Sequence, residues 1–262
     1  MVELDHARDL LSSMGLGTAA ELLDAQIERS LHDEHTYIRF LDELLTLEYS
    51  ERNRRSEELR IKMSRLPHRK GLDEFDFSFQ PGIDKRQIDE LATLAFAARA
   101  ENVVLLGPPG VGKTHLAVGI AMLALKAGLI IYYTPLARLI EDLKLASQQN
   151  RLEKRWRVYL RPAILIIDEV GYMQLNRQEA ELLFRLISER YEHGSIILTS
   201  NKFFSDWGEL LNDTVIATAL LDRLLHHSHV INIRGQTYRL KDRLKGGVQV
   251  TPAADIPVPA VG

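Results

Sequence analysis

The chain has 262 residues, a net charge of −3, 45% hydrophobic residues and 26% charged residues, which is an ordinary composition for a globular protein. It contains no cysteine, which excludes disulfides, cysteine zinc sites and cysteine nucleophiles. No apolar run approaches the roughly 20 residues that span a bilayer, and the acidic N-terminus is unlike a signal peptide. We therefore expect a cytoplasmic protein without a membrane partner. Because the net charge is negative, nucleic-acid binding would have to come from local basic patches.

Residues 1–70 are predicted to form a helical domain. Thr18 and Glu21 have the spacing of a capping box, which predicts the start of a helix. A longer helix follows and should end before Pro67. Its apolar residues recur at helical spacing and predict one buried face, which consists of Tyr37, Phe40, Leu41, Leu44 and Leu47.

Two segments differ from the rest in composition. Residues 71–82 are predicted to be a linker in which Phe75, Phe77 and Phe79 alternate with other residues. Aromatic side chains are rarely left in water, so we expect this linker to dock on the domain that follows. Residues 246–262 are rich in Gly, Pro, Ala and Val and are expected to be disordered.

Residues 83–245 are predicted to form an α/β domain. Helical patterns alternate there with short runs that are apolar on both faces, at residues 103–106, 129–133, 164–167 and 196–198. Such runs are typical of parallel strands covered by helices on both sides. The prediction is a three-layer sandwich with a parallel central sheet.

The stretch from Gly107 to Thr114 matches the P-loop pattern G-x-x-x-x-G-K-[ST] in full, between a predicted strand and a predicted helix. In such a loop the glycines let backbone N–H groups surround phosphates, the lysine reaches the β- and γ-phosphates, and the last hydroxyl binds Mg²⁺. Lys113 and Thr114 are expected to have these roles. The predicted nucleotide-binding residues are Gly107, Pro108, Pro109, Gly110, Val111, Gly112, Lys113, Thr114, His115 and Asp168.

Asp168 and Glu169 follow the third predicted strand, 55 and 56 residues after Lys113. Asp168 is expected to hold Mg²⁺, mostly through water, and Glu169 to orient and deprotonate the attacking water. Asn201 ends the fourth strand and is expected near the γ-phosphate. A GTPase would need Asn-Lys-x-Asp there, and Phe204 occupies the aspartate position. The predicted ligands are therefore ATP and Mg²⁺.

The motif order resembles that of the AAA+ ATPases in the DnaC helicase-loader group, since Leu221-Asp222-Arg223-Leu224 and Thr237-Tyr238-Arg239 follow the Asn201 motif. It is more similar still to IstB, the transposition helper ATPase of bacterial insertion sequences. Residues 72–77 and 168–172 add to this resemblance, which covers about residues 10–245. It implies an ASCE-type AAA+ P-loop NTPase fold behind a small all-α N-terminal domain with a role in DNA binding or assembly.

The same resemblance implies two catalytic arginines. Arg223 would be the arginine finger that reaches the γ-phosphate held by a neighbouring subunit, and Arg239 would be the sensor-2 arginine of its own subunit. A guanidinium is always charged and neutralises the charge that develops on a transferring phosphoryl group. A finger that acts in trans implies a homo-oligomer, a ring or a helix, with ATP at its interfaces.

Two basic clusters are candidate contacts to duplex DNA. Their residues are Arg52, Arg54, Arg55, Arg60, Lys62, Arg65, Arg69 and Lys70 in the first, and Lys154, Arg155, Arg157 and Arg161 in the second. Composition alone fits a solvated helix face equally well. The family resemblance favours DNA, bound through its backbone with little base specificity.

Three functions are open at this stage. The resemblance favours a transposition helper that assembles on DNA with ATP and then recruits and stimulates a transposase. The alternative within the same group is a DnaC-like loader that acts on a replicative helicase. The third reading is a solitary ATPase or kinase with a small-molecule substrate.

Overall fold

The computed structural model describes residues 2–235, 237 and 238. The helices are α1 (Val2–Ser13), α2 (Gly17–His32), α3 (Tyr37–Ser64), α4 (Lys85–Ala92), α5 (Ala95–Ala98), α6 (Lys113–Lys126), α7 (Leu136–Gln148), α8 (Leu152–Leu160), α9 (Arg177–Arg190), α10 (Trp207–Leu210) and α11 (Thr214–Leu225). The strands are β1 (Asn102–Leu106), β2 (Ile131–Pro135), β3 (Ile164–Val170), β4 (Ser195–Ser200) and β5 (Ser228–Asn232). Arg239 and the tail 246–262 lie outside the described residues. Within them, none of the helices combines the length and the hydropathy of a membrane-spanning segment.

The chain divides into two compact units, Met1–Met63 and Ser64–Gly262, so the boundary falls earlier than the expected position at residue 70. The first unit is a small helical domain made of α1, α2 and most of α3. Its core contains Ala19, Leu23 and Leu44, and Phe40 packs against them. The sequence predicts helices in this region, and α3 ends at Ser64, before Pro67, as expected.

Two details of the first unit differ from the sequence predictions. Thr18 lies inside α2 and its hydroxyl forms no capping bond, so the capping box is wrong. The buried carboxylate of Glu48, on α3, accepts the Ala19 N–H at 2.9 Å instead. The predicted buried face of α3 is also wrong in part, because Phe40, Leu44 and Glu48, four residues apart, point inward. The other three residues of the predicted face are exposed, namely Tyr37, Leu41 and Leu47.

The second unit is built on a sheet whose five strands are all parallel, in the order β2-β3-β4-β1-β5. This confirms the predicted α/β class. The P-loop follows β1, and β4 separates that strand from β3, which carries Asp168. The carboxyl ends of β1, β3 and β4 meet at one edge, which is where ligands bind in open parallel sheets.

Helices cover both faces of the sheet, as the apolar runs predict. Alternate strand residues, such as Val104 and Leu106, share one core with α7, α8, α9 and α11. Helix α6 packs against β1 to β4 with residues outside that core. Every residue of β1 is buried, which fits a strand with helices on either side.

Arg190, at the end of α9, holds one end of this core together. It is 1% exposed, and its guanidinium donates to the carbonyl oxygens of Tyr159, Leu160, Pro162, Ala163 and Ser195. Burial lowers the pKa of Arg190 to about 10, so the group stays charged at neutral pH. One side chain thus ties the end of α8 to the starts of β3 and β4.

We expect Arg190→Met to lower the free energy of unfolding by about 3 kcal/mol, because it leaves several buried carbonyls without a donor. Arg177→Met is the matched control. Arg177 begins the same helix, is exposed and pairs only with Glu181 in the described chain, so its loss should cost less than about 1 kcal/mol. Urea denaturation of both variants measures the difference. Equal losses would contradict the role given to Arg190.

Candidate functional site

The nucleotide cavity lies where the P-loop, the linker and the ends of β3 and β4 meet within the second unit. The described residues that line it are Lys70, Glu74, Phe75, Asp76, Gln80, Gly110, Val111, Gly112, Lys113, Thr114, His115, Asp168, Glu169, Tyr172, Thr199, Ser200, Asn201 and Tyr238. The P-loop, the two acidic residues and the Asn201 motif therefore lie around one cavity, as the sequence patterns require.

The glycines of the P-loop are needed because other segments approach it closely. Gly110 and Gly112 have positive φ angles of 82° and 99°. A Cβ at Gly110 would lie 2.0 Å from the hydroxyl of Thr237, and one at Gly112 would lie 2.6 Å from the ring of Phe75. The cradle is thus closed by the segment after β5 on one side and by the linker on the other.

Linker residues pack directly on the P-loop and the start of α6. Phe75 is buried, and its ring centre lies 5.3 Å from that of His115. The His115 ring also hydrogen-bonds the carbonyl of Gly71 at 3.0 Å. Phe79 stacks edge to face on Tyr238, whose N–H donates to the carbonyl of Gly110 at 2.8 Å. The linker therefore forms part of the cavity wall, through Glu74, Phe75, Asp76 and Gln80.

Lys113 is buried, and its ammonium group donates to the carbonyls of Gly107 at 2.7 Å and Pro108 at 2.8 Å. It thus lies across the loop that would surround the phosphates. The first turn of α6 adds backbone N–H groups and the positive end of a helix dipole. A buried ammonium group beside such a helix start fits a polyphosphate.

Thr114 and Asp168 contact each other directly at the head of the site. The Thr114 hydroxyl lies 3.1 Å from each carboxylate oxygen of Asp168. Hard oxygen donors of this kind suit Mg²⁺, which keeps several of its waters. The donor set therefore fits Mg²⁺ between these two side chains.

Asp168 also accepts hydrogen bonds from two hydroxyls that sequence reasoning missed. Tyr133, on β2, donates at 2.6 Å, and Thr199, on β4, donates to the other carboxylate oxygen. Burial and the bond to Asp168 raise the pKa of Tyr133, so its hydroxyl stays protonated. The sequence pattern of residues 129–133 indicates only an apolar strand. The signal that could have identified Tyr133 is a hydroxyl near the carboxyl end of a strand beside β3.

Glu169 has a strained backbone. Its φ is +63°, and the pairing of β3 with β4 shifts register between Ile167 and Val170. A bulge at this place turns the exposed Glu169 side chain into the cavity, and such bulges are common beside active sites. The Glu169 N–H donates to the Thr199 hydroxyl at 3.1 Å.

Asn201 also lines the cavity. Its side-chain oxygen is buried and has no hydrogen-bond partner among the described residues. A Cβ at Gly171, where φ is +107°, would lie 2.4 Å from this oxygen, which explains the glycine after Val170. The amide of Asn201 is therefore held beside Gly171 at the cavity, with an oxygen free to accept a hydrogen bond among the described residues, which fits a bound water.

Arg223 lies apart from the cavity. Its guanidinium carbon is 5.0 Å from the centre of the Phe184 ring, on the surface formed by α9 and α11. No arginine is among the described residues that line the cavity. Arg239, the second predicted catalytic arginine, lies outside the described residues.

The basic clusters divide in ways that the sequence does not show. Arg65, Arg69 and Lys70 follow the end of α3, so the first cluster does not form a single helical surface, and Lys70 lines the nucleotide cavity. On α3, Arg54 pairs with Glu51 and Glu58, and Arg55 pairs with Glu51. The members of the first cluster that are exposed on α3 are Arg52, Arg54, Arg55 and Lys62.

In the second cluster, Arg155 is held by Asp142 and lies over the ring of Tyr159. This makes Arg155 a weaker candidate for DNA than its neighbours. Lys154, Arg157 and Arg161 are exposed.

Comparisons with known proteins decide the family. The sequence profile of the IstB-like ATP binding proteins matches residues 9–246. This chain belongs to that family. It is 49% identical over 249 residues, 94% of both chains, to an insertion sequence IS21 protein of Pseudomonas aeruginosa that is named for ATP binding. It is 48% identical over 228 residues, 87% of this chain and 91% of the other, to the corresponding IS5376 protein of Geobacillus stearothermophilus.

Solved structures of low sequence identity share the α/β fold. DnaI is similar with a TM-score of 0.53 and 19% identity, over 67% of this chain and 92% of that one. The replication initiator DnaA bound to AMPPCP and single-stranded DNA is similar with a TM-score of 0.56 and 16% identity, over 72% of this chain and 58% of that one. Membership of an ATP-binding family agrees with the geometry of the P-loop.

We expect Lys113→Ala to weaken ATP binding about a hundredfold, because it removes charge-assisted hydrogen bonds worth about 2–3 kcal/mol. Lys126→Ala, at the exposed end of the same helix, is the control and should bind as the unaltered protein does. A fluorescent ATP analogue measures both affinities, and circular dichroism checks folding. Equal affinity of the two variants would contradict the role of Lys113.

Proposed function

We propose that this protein is a Mg²⁺-dependent ATPase that oligomerises on duplex DNA and acts as a transposition helper, recruiting and stimulating a transposase. The observation that carries the proposal is the cavity in which Lys113, Asp168, Glu169 and Asn201 surround one space. The sequence relationship to proteins of insertion sequences supports the transposition role.

In the proposed reaction, Lys113 exchanges its bonds to the P-loop carbonyls for bonds to the β- and γ-phosphates. Glu169 accepts a proton from a water that attacks the γ-phosphorus, and the bond from that phosphorus to the β-phosphate oxygen breaks. Asn201 orients the water or the γ-phosphate. Mg²⁺, when bound between Thr114 and Asp168, supplies charge neutralisation to the phosphate oxygens.

The absence of an arginine among the described lining residues favours an assembly. Charge that develops on the γ-phosphoryl group is commonly neutralised by an arginine finger. Arg223 is half-buried on another surface of the same unit, over the Phe184 ring, and in the proposed assembly it reaches the nucleotide of a neighbouring molecule from there. Arg239 stays a proposed second cation. The proposed active site is therefore completed at the interface between two subunits.

Helicase loading is the second candidate function, because the order of the sequence motifs resembles that of the DnaC helicase-loader group. The relatives from insertion sequences are much more similar in sequence and match along nearly the whole chain, which favours the transposition helper. A pull-down with purified transposase and purified replicative helicase separates the two. Retention of the helicase alone would favour the loader.

Mixing two inactive variants tests the shared site. Glu169→Gln should bind ATP but lack the base, and Arg223→Ala should keep its base but supply no finger. Each alone should hydrolyse ATP at a small fraction of the normal rate, since a finger contributes about 10³–10⁵-fold. Their mixture should recover activity, because a Glu169→Gln subunit supplies Arg223 to a neighbour that retains Glu169. A mixture as inactive as its components, with both variants folded, would overturn the trans arrangement.

The basic residues proposed to contact DNA require a separate test. We expect Lys154→Glu with Arg157→Glu, and separately Arg52→Glu with Lys62→Glu, to weaken duplex binding. The slope of log affinity against log salt should become shallower by about 0.9 for each DNA phosphate that the variant no longer neutralises. Lys126→Glu with Arg177→Glu is the control, because it reverses two exposed charges at other places on the second unit. Fluorescence anisotropy measures all three slopes, and identical slopes would refute the proposed DNA-binding role of these residues.

A further inference from the structure

The carboxylate of Asp168 is surrounded by three hydroxyl groups. Asp168 is 2% exposed, and it accepts from Thr114, Tyr133 and Thr199, which lie on α6, β2 and β4. In each of these hydrogen bonds the hydroxyl donates its proton and a carboxylate oxygen accepts it. All three hydrogen bonds therefore run toward Asp168, and they hold its carboxylate from three elements.

The three hydroxyls are not equivalent. Tyr133 donates to Oδ2 and Thr199 donates to Oδ1, so one donor fixes each oxygen. The Thr114 hydroxyl is 3.1 Å from both oxygens and thus lies on the edge between them. Two flanking donors fix the rotation of the carboxylate plane. Its remaining edge then faces Thr114, where the metal would be held.

Tyr133 is placed for this role by the sheet. Strand β2 pairs with β3, and Tyr133 is opposite Ile166, two residues before Asp168. Its ring is nearly buried, with 9% of the residue exposed, and the hydroxyl extends along β3 to reach the carboxylate. A rigid aromatic ring on a strand fixes the position of its hydroxyl more firmly than a flexible side chain could.

We propose that Tyr133 is a positioning residue of the metal–nucleotide site, whose hydroxyl holds Asp168 in the orientation that binds Mg²⁺ together with Thr114. This inference rests on the proposed Mg²⁺-dependent ATPase function. Tyr133 does not line the cavity in the described structure, so it acts through Asp168 and not on the nucleotide.

Thr199 holds the other carboxylate oxygen of Asp168, opposite the one held by Tyr133, and it also contacts Glu169. Its hydroxyl donates to Asp168 and accepts the N–H of Glu169. The orientation of Asp168 and the strained backbone of Glu169 are therefore joined through one oxygen atom. Tyr133 lacks this second link, so its removal isolates the effect on the carboxylate.

Tyr133→Phe is the decisive variant, because it keeps the buried ring and removes only the hydroxyl. Outer hydrogen bonds to metal ligands contribute about 10–100-fold to metal affinity, and we expect a loss of at least about tenfold. The readout is binding of Mn²⁺ in the presence of ADP, measured by electron paramagnetic resonance, which does not depend on turnover. Affinity for ADP in EDTA should be unchanged.

Tyr132→Phe is the matched control. Tyr132 is the preceding residue on β2, and its ring packs on Tyr159 on the other side of the strand from Asp168. It should bind Mn²⁺ as the unaltered protein does.

Variants of Thr199 test the hydroxyl on the other carboxylate oxygen of Asp168. Thr199→Ser keeps a hydroxyl and should retain Mn²⁺ affinity, whereas Thr199→Val removes the hydroxyl and should lose Mn²⁺ affinity.

The outcomes separate this inference from the proposed function. If the unaltered protein binds ADP with no dependence on Mn²⁺ or Mg²⁺, the proposed metal-dependent function fails and the inference fails with it. If the unaltered protein binds Mn²⁺ with ADP and folded Tyr133→Phe binds Mn²⁺ equally tightly, the inference alone is overturned. A tenfold loss in Tyr133→Phe, with normal ADP binding in EDTA and a normal Tyr132→Phe, supports it.

Discussion

Burial of the Asp168 carboxylate at the end of β3 constrains the whole site. A buried carboxylate is costly unless donors surround it. Asp168 obtains its donors from both neighbouring strands and from the first turn of α6. This is feasible only because β3 lies between β2 and β4, whereas β1 and its P-loop lie beyond β4. Strand order thus determines which side chains can reach Asp168.

Close contacts around the P-loop make distant segments part of the same site. The linker contributes Phe75 against Gly112, and the segment after β5 contributes Thr237 against Gly110. Neither glycine could be replaced by a larger residue unless these segments moved. The shape of the P-loop therefore depends on residues that precede β1 and on residues that follow β5. A P-loop motif considered alone says nothing about this dependence.

Local patterns in the sequence are enough to predict the elements whose role is set by short-range chemistry. The P-loop glycines, the buried runs of β1 and β3, and the acidic pair after β3 each follow from a few adjacent residues. Contacts between residues that lie far apart in the chain cannot be predicted from such local patterns. Glu48 replaces Thr18 at the start of α2, Tyr133 reaches Asp168 across 35 residues, and Lys70 lies in the cavity. These depend on how separate elements pack, which residue spacing does not reveal.

The position of Glu169 suggests why hydrolysis should depend on a neighbour. A glutamate at a φ of +63° costs about 1–3 kcal/mol, and the surrounding structure must hold it there. Thr199 does so through the Glu169 N–H, and the bulge keeps the side chain in the cavity. The proposed base is thus held in position by contacts within its own chain. No arginine is present among the described lining residues, and in the proposed assembly a neighbouring subunit contributes the guanidinium charge. In the proposed assembly, adding Arg223 from a second subunit supplies this charge without rearranging the base, and the rate then reports whether a neighbour is in place.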